Sequence, residues 1–258
     1  MTDQPWIALT RDISPALEHC ELTHLERAPI DLARAREQHE AYERALAELG
    51  CDVRRLPAGD DMPDSVFIED TAIVVDEVAV ITRPGAASRR GETAAVADAL
   101  AAHRKLVRLD APARLDGGDV MVVDRALFVG RSERTNMTGI RQLRDALRRY
   151  GYTVQAVPVR GCLHLKTAVT SLGDGRLLIN RGWVPADAFA GYELIDVDAD
   201  EPFAANALRV GDRIVYPTDF PRTRERLEAA GMDVVTVPAD ELAKAEGAVT
   251  CCSLVFRA

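Results

Sequence analysis

The sequence predicts an α/β protein in which five ββαβ modules form a closed ring, that is, a five-bladed α/β propeller. The first observation is a repeated pattern: a helix-like stretch ends at a glycine, and apolar residues follow three and six positions later. His103 occupies the fifth such position, with Leu106 and Leu109 at the same offsets. A glycine at a helix end favours a left-handed cap, and the alternating apolar residues favour a half-buried strand. The four glycines are Gly50, Gly151, Gly191 and Gly231.

The second observation is a set of β-hairpins. In four places two apolar runs flank a polar or glycine-containing turn, at residues 76–77, 124–125, 173–175 and 211–212. Only the run from Trp6 to Thr10 precedes the first helix, so the first module lacks half of its hairpin. We expect the last apolar run, Ala248 to Phe256, to pair with it, because joining the two chain ends would close the ring and remove exposed sheet edges.

The residues after each hairpin are expected to form a helix. Ile140, Leu143, Leu147 and Tyr150 line one face of such a helix, and residues 31–49 show the same periodicity. A ring of this kind can bury a sizeable core within 258 residues, so we expect one propeller domain over residues 1–258.

The composition limits the classes of partner. The formal charge of −9 and the pI of about 5.1 oppose binding to nucleic acids, whereas a small cationic ligand would be favoured. The longest apolar stretch, from Thr71 to Ile81, contains Asp76 and Glu77, so no membrane partner is expected. Residues 1–6 show no secretory signal, and five cysteines form no disulfide framework. We therefore expect reduced thiols and a cytoplasmic protein, either a monomer or a homodimer.

The ring geometry predicts where polar residues meet. The first hairpin strands of the modules begin near five residues that would face the same end of a central channel: Asp70, Asp119, His164, Asn206 and Cys251. A thiol beside an imidazole is a nucleophile with a proton-transfer partner, so Cys251 and His164 are the candidate catalytic pair. The alternative is that both are ordinary core residues.

Acidic side chains surround the same predicted channel end. Like charges so close together need a cation to balance them, and a guanidinium pairs with carboxylates through its planar fork of donors. The bound cation would also lower the pKa of the thiol, so that thiolate forms when substrate is present. The alternative is that these residues are turn and capping aspartates. The carboxylates are Asp64, Glu69, Asp70, Asp116 and Asp119.

The remaining cysteines and histidines are expected to be structural or solvated. Cys252 is expected to be structural, because neighbouring strand residues face opposite sides. Adjacent cysteines also lack the spacing of zinc chelates, so we expect neither a metal nor a cofactor. Three cysteines are expected to be buried and four histidines to lie at the surface: Cys20, Cys51 and Cys162, and His19, His24, His39 and His103.

Seven short motifs stand in order along almost the whole chain. They are DSVFIED at 64–70, ITRPG at 81–85, SRRGE at 88–92, LDGGD at 115–119, RTN at 134–136, LHLK at 163–166 and TCCS at 250–253. Together they closely resemble the motifs of dimethylarginine dimethylaminohydrolases. That family belongs to the pentein superfamily of guanidine-modifying proteins, and the resemblance implies the same five-bladed α/β propeller that the repeats predict.

The resemblance implies hydrolysis of asymmetric dimethylarginine or monomethylarginine to citrulline and dimethylamine or methylamine. In that scheme Cys251 attacks the guanidinium carbon and His164 protonates the departing amine. His164 then activates water against an S-alkylthiouronium intermediate. Asp116 would orient the imidazole, at a place where some relatives carry glutamate.

The resemblance also implies three kinds of substrate contact. Carboxylates would hold the guanidinium, arginines would clamp the substrate α-carboxylate, and backbone carbonyls of a lid segment and of the loop before the nucleophile would complete the site. The carboxylates are Glu69 and Asp70, with Asp64 nearby. The arginines are Arg89 and Arg134, and the backbone carbonyls belong to Leu22 and Ala245. For the two arginines the alternative is solvated surface charge.

Two other functions are weighed against this one. Arginine deiminases use the same thiol chemistry on unmethylated guanidines, but they usually carry an inserted helical region and a histidine directly before the nucleophile, where this chain has Thr250. Non-catalytic penteins, such as ribosome anti-association factors, use the propeller as a binding surface. They lack the set of cysteine, histidine and carboxylate that this chain contains.

Overall fold

The computed structural model describes residues 5–258 and contains five three-stranded sheets. Within each sheet, two strands pair antiparallel, and a third strand runs parallel to one of them. In the second to fifth modules the antiparallel pair is a hairpin. This arrangement confirms the predicted ββαβ modules.

Residues 6–158, which form the first three modules apart from their closing strand, contain eight strands and three α-helices. They are β1 (Trp6–Arg11), α1 (Leu32–Glu48), β2 (Cys51–Leu56), β3 (Ala72–Val74), β4 (Val78–Ile81), α2 (Thr93–Leu100), β5 (Lys105–Arg108), β6 (Val120–Val123), β7 (Ala126–Arg131), α3 (Met137–Leu147) and β8 (Thr153–Pro158). Short 3-10 helices, Ile68–Thr71 and Gly117–Asp119, lead into β3 and β6.

The rest of the chain forms the fourth and fifth modules and the final strand, β15, which belongs to the first module. Its elements are α4 (Leu165–Ala168), β9 (Val169–Gly173), β10 (Arg176–Ile179), β11 (Glu193–Asp196), β12 (Leu208–Val210), β13 (Arg213–Pro217), α5 (Pro221–Ala229), β14 (Asp233–Val237), α6 (Asp240–Ala243) and β15 (Leu254–Arg257).

Capping residues explain where the elements begin and end. Asp31 accepts hydrogen bonds from two backbone amides at the start of α1, and Asn136 accepts one at the start of α3. The four repeat glycines have φ between 81° and 96°, in the left-handed region that glycine adopts without strain. Their predicted role between a helix and the next strand is confirmed.

Pairing of the two chain ends closes the ring. β15 runs antiparallel to β1, from Trp6 opposite Arg257 to Leu9 opposite Leu254, while β1 runs parallel to β2. The prediction of this pairing is confirmed, although β15 is shorter than the predicted run. Residues 249–252 form a turn instead of a strand, and the amide of Cys251 donates to the carbonyl of Ala248 at 3.0 Å.

The first strands of the modules face a common central channel of about 630 Å³. Each of these five strands contributes lining residues, and one example from each is Val74, Val122, Ser171, Leu208 and Val255. The ring therefore has a centre on which equivalent module positions converge, as the repeat predicts.

The fourth module departs from the prediction. Only a short 3-10 helix, Ala186–Phe189, lies between β10 and β11, where an α-helix is expected. The connection begins with a turn in which the amide of Trp183 donates to the carbonyl of Asn180 at 3.2 Å. Pro185 then follows, so few residues remain for a regular helix before Gly191.

The prediction for His39 is wrong. Its side chain is 1% exposed, and it lies on the buried face of α1 with Tyr42 and Glu43. The Nε2 atom of His39 is 3.4 Å from Oε1 of Glu43. His19 and His24 are exposed, as expected, and His103 is half-buried.

The cysteines have the expected burial. Cys20, Cys51, Cys162 and Cys252 are buried, and all five cysteines of the chain are free thiols. Across residues 5–258, we find no helix with the length and apolar composition needed to cross a membrane.

Candidate active site

The five residues predicted to meet at one channel end all lie just before the first strand of a module. Asp70 and Asp119 sit in the one-turn 3-10 helices before β3 and β6, and His164 is the N-cap of α4, which leads into β9. Asn206 precedes β12, and Cys251 lies in the turn before β15. The equivalent positions of the ring thus carry carboxylates, an imidazole, an amide and a thiol.

His164 is buried between two carboxylates. Its Nε2 is 3.1 Å from Oδ2 of Asp116, and its Nδ1 is 4.0 Å from Oδ1 of Asp70. Burial opposes charge on the imidazole, but Asp70, Asp116 and Asp119 outweigh it and raise the pKa of His164 to about 9. The ring is therefore a protonated donor at neutral pH.

Asp116 is itself held in place by neighbouring segments. Its Oδ1 accepts a hydrogen bond from the amide of Gly85 at 2.7 Å, and its own amide donates to Oγ1 of Thr135 at 3.2 Å. Oδ2 remains directed at His164. Aspartate in this position thus reaches the imidazole directly.

Asp70 lies between His164 and a buried arginine. The Arg89 guanidinium forms an ion pair with Asp70 and a second one with Glu92 at 2.9 Å. The amide of Gly118 donates to Oδ1 of Asp70 at 2.8 Å. Burial favours the neutral acid, but His164 and Arg89 lower the pKa of Asp70 to about 2. Asp70 is therefore a carboxylate at neutral pH.

Glu69 is tied to the segment that carries the thiol. Oε1 contacts Nζ of Lys166, and Oε2 accepts a hydrogen bond from Oγ1 of Thr250 at 2.9 Å. The amide of Glu69 also donates to the carbonyl of Cys251 at 3.1 Å. Burial raises the pKa of Glu69, against the opposing effect of the Lys166 ammonium.

Cys251 is the one partly exposed cysteine, because the other four are buried. It lines a mostly apolar cavity of about 370 Å³ together with Leu163, Phe220 and Ala248. Burial of the sulfur and the carboxylates of Glu69 and Asp70 raise the pKa of the thiol to about 12. A cation bound near these carboxylates would reverse part of that shift and favour the thiolate.

Asp70 influences both Cys251 and His164. Its carboxylate raises the pKa of the thiol and the pKa of the imidazole. In the part of the chain that the structure describes, we find no hydrogen bond between the sulfur and the imidazole. This arrangement is compatible with a reacting carbon that enters between the nucleophile and the proton donor.

Asp64 and Asp119 both accept backbone hydrogen bonds, as the capping alternative anticipates. Asp119 accepts from the amide of Leu165 at 2.9 Å and from Oγ of Ser132, and burial raises the pKa of Asp119 to about 6. Because Leu165 follows His164, Asp119 braces the segment that carries the imidazole. Asp64 accepts from the amide of Glu21 at 3.1 Å.

A segment at residues 21–25 lies beside the cavity and contacts Arg134, which in turn lies near Asp116. Nη2 of Arg134 donates to Oγ1 of Thr23 at 3.0 Å, and Nη1 of Arg134 is 4.0 Å from Oδ2 of Asp116. Leu22 is partly buried and packs against the core formed by α1 and the chain ends. Ala245 is buried in the loop that precedes the thiol.

Asp70, Asp116 and His164 are also the one group of possible metal ligands that we find within residues 5–258. Their ligating atoms lie within 4.8 Å of one another. Asp70 already contacts Arg89 and Asp116 already accepts the Gly85 amide, so both carboxylates have protein partners. The geometry accounts for a stabilised imidazolium without requiring an ion.

Sequence reasoning gave no role to Lys166, Thr250, Glu92 and Glu246. Lys166 and Thr250 lie inside two of the quoted motifs, and Glu92 stands three positions after Arg89. Lys166 and Thr250 contact Glu69 from other elements, whereas Glu92 contacts Arg89 within one 3-10 helix. Motif position was the available signal for three of them, and Glu246 had none.

Comparisons with known proteins agree with this geometry. The family model described as "N,N dimethylarginine dimethylhydrolase, eukaryotic" matches residues 23–255. A Streptomyces coelicolor protein named N(G),N(G)-dimethylarginine dimethylaminohydrolase is 42% identical over 252 residues, which cover 97% of this chain and 96% of that protein.

Two solved structures are also similar over nearly the whole chain. One is the Pseudomonas aeruginosa dimethylarginine dimethylaminohydrolase, a cysteine-to-serine mutant complexed with citrulline, with a TM-score of 0.93, 35% identity, and coverage of 98% of this chain and 100% of that one. The other is a dimethylarginine dimethylaminohydrolase with a histidine-to-glycine change, as an adduct with S-methyl-L-thiocitrulline, with a TM-score of 0.91, 36% identity, and coverage of 96% and 98%. With five modules around one channel and a buried imidazole among carboxylates, the chain belongs to the dimethylarginine dimethylaminohydrolase family.

Proposed function

We propose that the protein hydrolyses Nω-methylated arginines to citrulline and dimethylamine or methylamine. The observation that carries this proposal is the combination of a partly exposed Cys251, two adjacent carboxylates and an imidazole raised to a pKa of about 9. The citrulline bound to the Pseudomonas aeruginosa relative supports the same product. The protein is thus a hydrolase of the C–N bond in a linear amidine.

The reaction begins with attack by the Cys251 sulfur on the guanidinium carbon, which forms a C–S bond. The bond from this carbon to the methylated nitrogen then breaks, and protonated His164 donates its proton to the departing amine. An S-alkylthiouronium remains on Cys251. Neutral His164 next takes a proton from water, whose oxygen attacks the same carbon. The C–S bond breaks to release the thiolate, and the hydroxyl proton passes through solvent to the released amine, which leaves citrulline and an alkylammonium ion.

Glu69 and Asp70 are the groups that we assign to the substrate guanidinium, with Asp64 nearby. Asp70 is ionised, and a carboxylate pairs with the fork of guanidinium donors. The positive charge of the substrate would lower the pKa of Cys251, so that the nucleophile forms where its target is bound. Asp116 orients His164 and stabilises its protonated form.

Arg134 and Arg89 are proposed to bind the substrate α-carboxylate. Arg134 donates a hydrogen bond to Thr23, which follows the lid residue Leu22, and the side chain of Arg134 is 11% exposed. Arg89 already contacts Asp70, Glu92 and the carbonyls of Asp64 and Phe67, so carboxylate binding there requires exchange of one of these contacts. The carbonyls of Leu22 and Ala245 complete the proposed contacts.

The citrulline assay tests this proposal. Purified protein is incubated with asymmetric dimethylarginine, monomethylarginine and arginine, and citrulline is measured. We expect citrulline from the methylated substrates, and a loss of at least about a thousand-fold in Cys251→Ser and His164→Gly. Cys252→Ser is the matched control, because Cys252 is buried one position away, and it should keep most activity.

Four results would contradict the proposal. Citrulline mainly from free arginine would indicate a deiminase-type hydrolase. Undiminished turnover by Cys251→Ser would show that Cys251 is not the nucleophile. An inactive Cys252→Ser variant would assign that role to Cys252. Absence of citrulline from every substrate would favour a non-catalytic binding protein.

We further propose a cytoplasmic location and a monomeric or homodimeric state. Five free thiols support a reducing compartment. A small cationic amino acid is the proposed partner, in line with the net charge of −9.

A further inference from the structure

A closed cycle of hydrogen bonds joins the residue before the nucleophile to Glu69. We propose that Asn206 and Thr250 are positioning residues, which set the orientation of Cys251 relative to the guanidinium-binding carboxylate Glu69. The inference rests on the proposed function for the role of Glu69, and it assigns functions to two side chains that do not themselves react.

Asn206 holds Thr250 at two points. Oδ1 of Asn206 accepts a hydrogen bond from the backbone amide of Thr250 at 3.0 Å, and Nδ2 donates to Oγ1 of Thr250 at 3.0 Å. Nδ2 also donates to the backbone carbonyl of Lys166 at 3.0 Å. Because one end of the amide faces an N–H group and the other faces a carbonyl, the orientation of the Asn206 amide is determined.

The Thr250 hydroxyl has a fixed direction as a consequence. Its oxygen accepts from Asn206, so its own proton is free to donate to Oε2 of Glu69, 2.9 Å away. On the other side of the carboxylate, Lys166 contacts Oε1. Both oxygens of Glu69 are therefore oriented by donors, and the plane of the carboxylate is set.

The cycle closes through Lys166 and extends to the thiol. The Lys166 ammonium contacts the carboxylate of Glu69, and the Lys166 carbonyl accepts a hydrogen bond from Asn206. The amide of Glu69 donates to the carbonyl of Cys251 at 3.1 Å. Asn206 therefore holds the peptide group before Thr250, and Glu69 holds the peptide group after Cys251. The direction of the Cys251 side chain follows from these two constraints.

Burial makes these contacts consequential. Asn206 and Thr250 are each 3% exposed, so water does not readily replace a lost partner. Removing the Thr250 hydroxyl leaves Glu69 without one donor and Asn206 without one acceptor. Small displacements of a nucleophile can cost a factor of about 100 in rate, since attack requires close alignment.

The decisive variants are Thr250→Val and Asn206→Ala, with Thr250→Ser as the conservative change that retains a hydroxyl. We expect kcat with dimethylarginine to fall about 10- to 100-fold in the first two, with KM changed less than kcat. Thr250→Ser should recover most of this loss. Thr223→Val is the matched control: Thr223 is also fully buried, and its hydroxyl accepts the amide of Asp198, away from this cycle.

A second readout uses the thiol without substrate. A loosened turn exposes Cys251, so its alkylation by iodoacetamide should become faster in Thr250→Val while turnover becomes slower. The peptide containing Cys251 is followed by mass spectrometry, and the thermal unfolding temperature is compared with that of Thr223→Val. Opposite changes in alkylation and turnover at matched unfolding temperature support a positioning role.

The two proposals fail in different ways. If the unaltered protein produces no citrulline, the proposed function is wrong, and the alkylation comparison still decides whether Thr250 and Asn206 orient Cys251. If Thr250→Val and Asn206→Ala keep the wild-type kcat, KM and alkylation rate, the positioning role is overturned. The same holds if Thr223→Val shows equal losses, because the effect would then come from general destabilisation.

Discussion

His164 carries a proton because of its neighbours. The carboxylates of Asp70 and Asp116 outweigh the effect of burial, so the pKa of His164 rises to about 9. An unperturbed histidine titrates near 6.5. The charged form therefore stabilises the folded protein fully below about pH 6.5, and this contribution is lost as the pH rises through about 9. In the proposed mechanism, this proton is the one that His164 donates to the departing amine.

The first prediction concerns the alkaline side of the pH profile. Loss of the His164 proton should reduce kcat/KM as the pH passes about 9. Asp116→Asn removes one of the charges that stabilise the imidazolium, so this alkaline limb should move to lower pH by about one unit. The measurement is kcat/KM for dimethylarginine between about pH 6 and 10. This range includes the pKa of an unperturbed histidine, about 6.5, and the pKa of His164, about 9.

The control for this prediction is Asp52→Asn. Asp52 is exposed and pairs with Arg54, so its replacement should leave the limb unmoved. An alkaline limb that stays in place in Asp116→Asn, at undiminished folded fraction, would show that Asp116 does not set the protonation of His164.

Sequence predicted the residues of the site better than their contacts. Cys251, His164 and Asp70 follow from the repeat, because equivalent starts of strands meet at the channel. The contacts of Glu69 do not follow, since Lys166 is 97 positions away and Thr250 is 181 positions away. Which donors reach a buried carboxylate depends on packing between modules, and no local pattern encodes it. His39 was misplaced for a different reason: it lies on the same face of α1 as Tyr42 and Leu46, three and seven positions later, so the helical periodicity already favoured its burial.

At the scale of the elements, the loop that carries Cys251 also holds the segment at residues 21–25. The Glu246 carboxylate accepts hydrogen bonds from three successive amides, those of Thr23, His24 and Leu25, at 2.5 to 2.9 Å. Glu246 has a φ of 57°, in the left-handed region. One side chain thus joins the segment beside the cavity to the loop before Cys251.

The second prediction is that Glu246→Ala releases this segment. The three amides lose their acceptor, so their hydrogen exchange should become at least about ten-fold faster, because charge-assisted hydrogen bonds are each worth more than neutral ones. Glu26→Ala is the matched control, since Glu26 is an exposed carboxylate in the same region. Unchanged exchange at residues 23–25 in Glu246→Ala would show that other contacts hold the segment.

Local sequence patterns predicted some of the helices and turns but not all of them. The helix of residues 31–49 and the hairpin turns were predicted because each depends on periodicity or on turn residues within a short window. The missing α-helix of the fourth module was not predicted. There, an early turn at Asn180 shortens the connection, and the side-chain pattern alone does not reveal that.

At the scale of the whole molecule, ring closure pairs β15 with β1, and the turn that carries Cys251 lies directly before β15. Cys251 precedes β15, which pairs with β1 in the first module, whereas His164 belongs to the fourth module. The proposed catalytic pair therefore comes from two different modules that the ring brings together. The prediction of a single domain over residues 1–258 stays a prediction, and residues 1–4 lie outside the described range.

The central claim is that Cys251 forms a covalent bond to the guanidinium-type carbon and that His164 then activates water. The most direct measurement is mass spectrometry of His164→Gly after incubation with S-methyl-L-thiocitrulline. Methanethiol leaves more readily than an amine, so the C–S bond to Cys251 can form without a proton from His164. Hydrolysis of the adduct should then stall, because no imidazole activates water.

We predict a stable adduct on the peptide that contains Cys251, and none in the double variant His164→Gly, Cys251→Ser. An adduct on Cys252, or a protein that remains unmodified while it is folded, would contradict the assignment of Cys251 as the nucleophile.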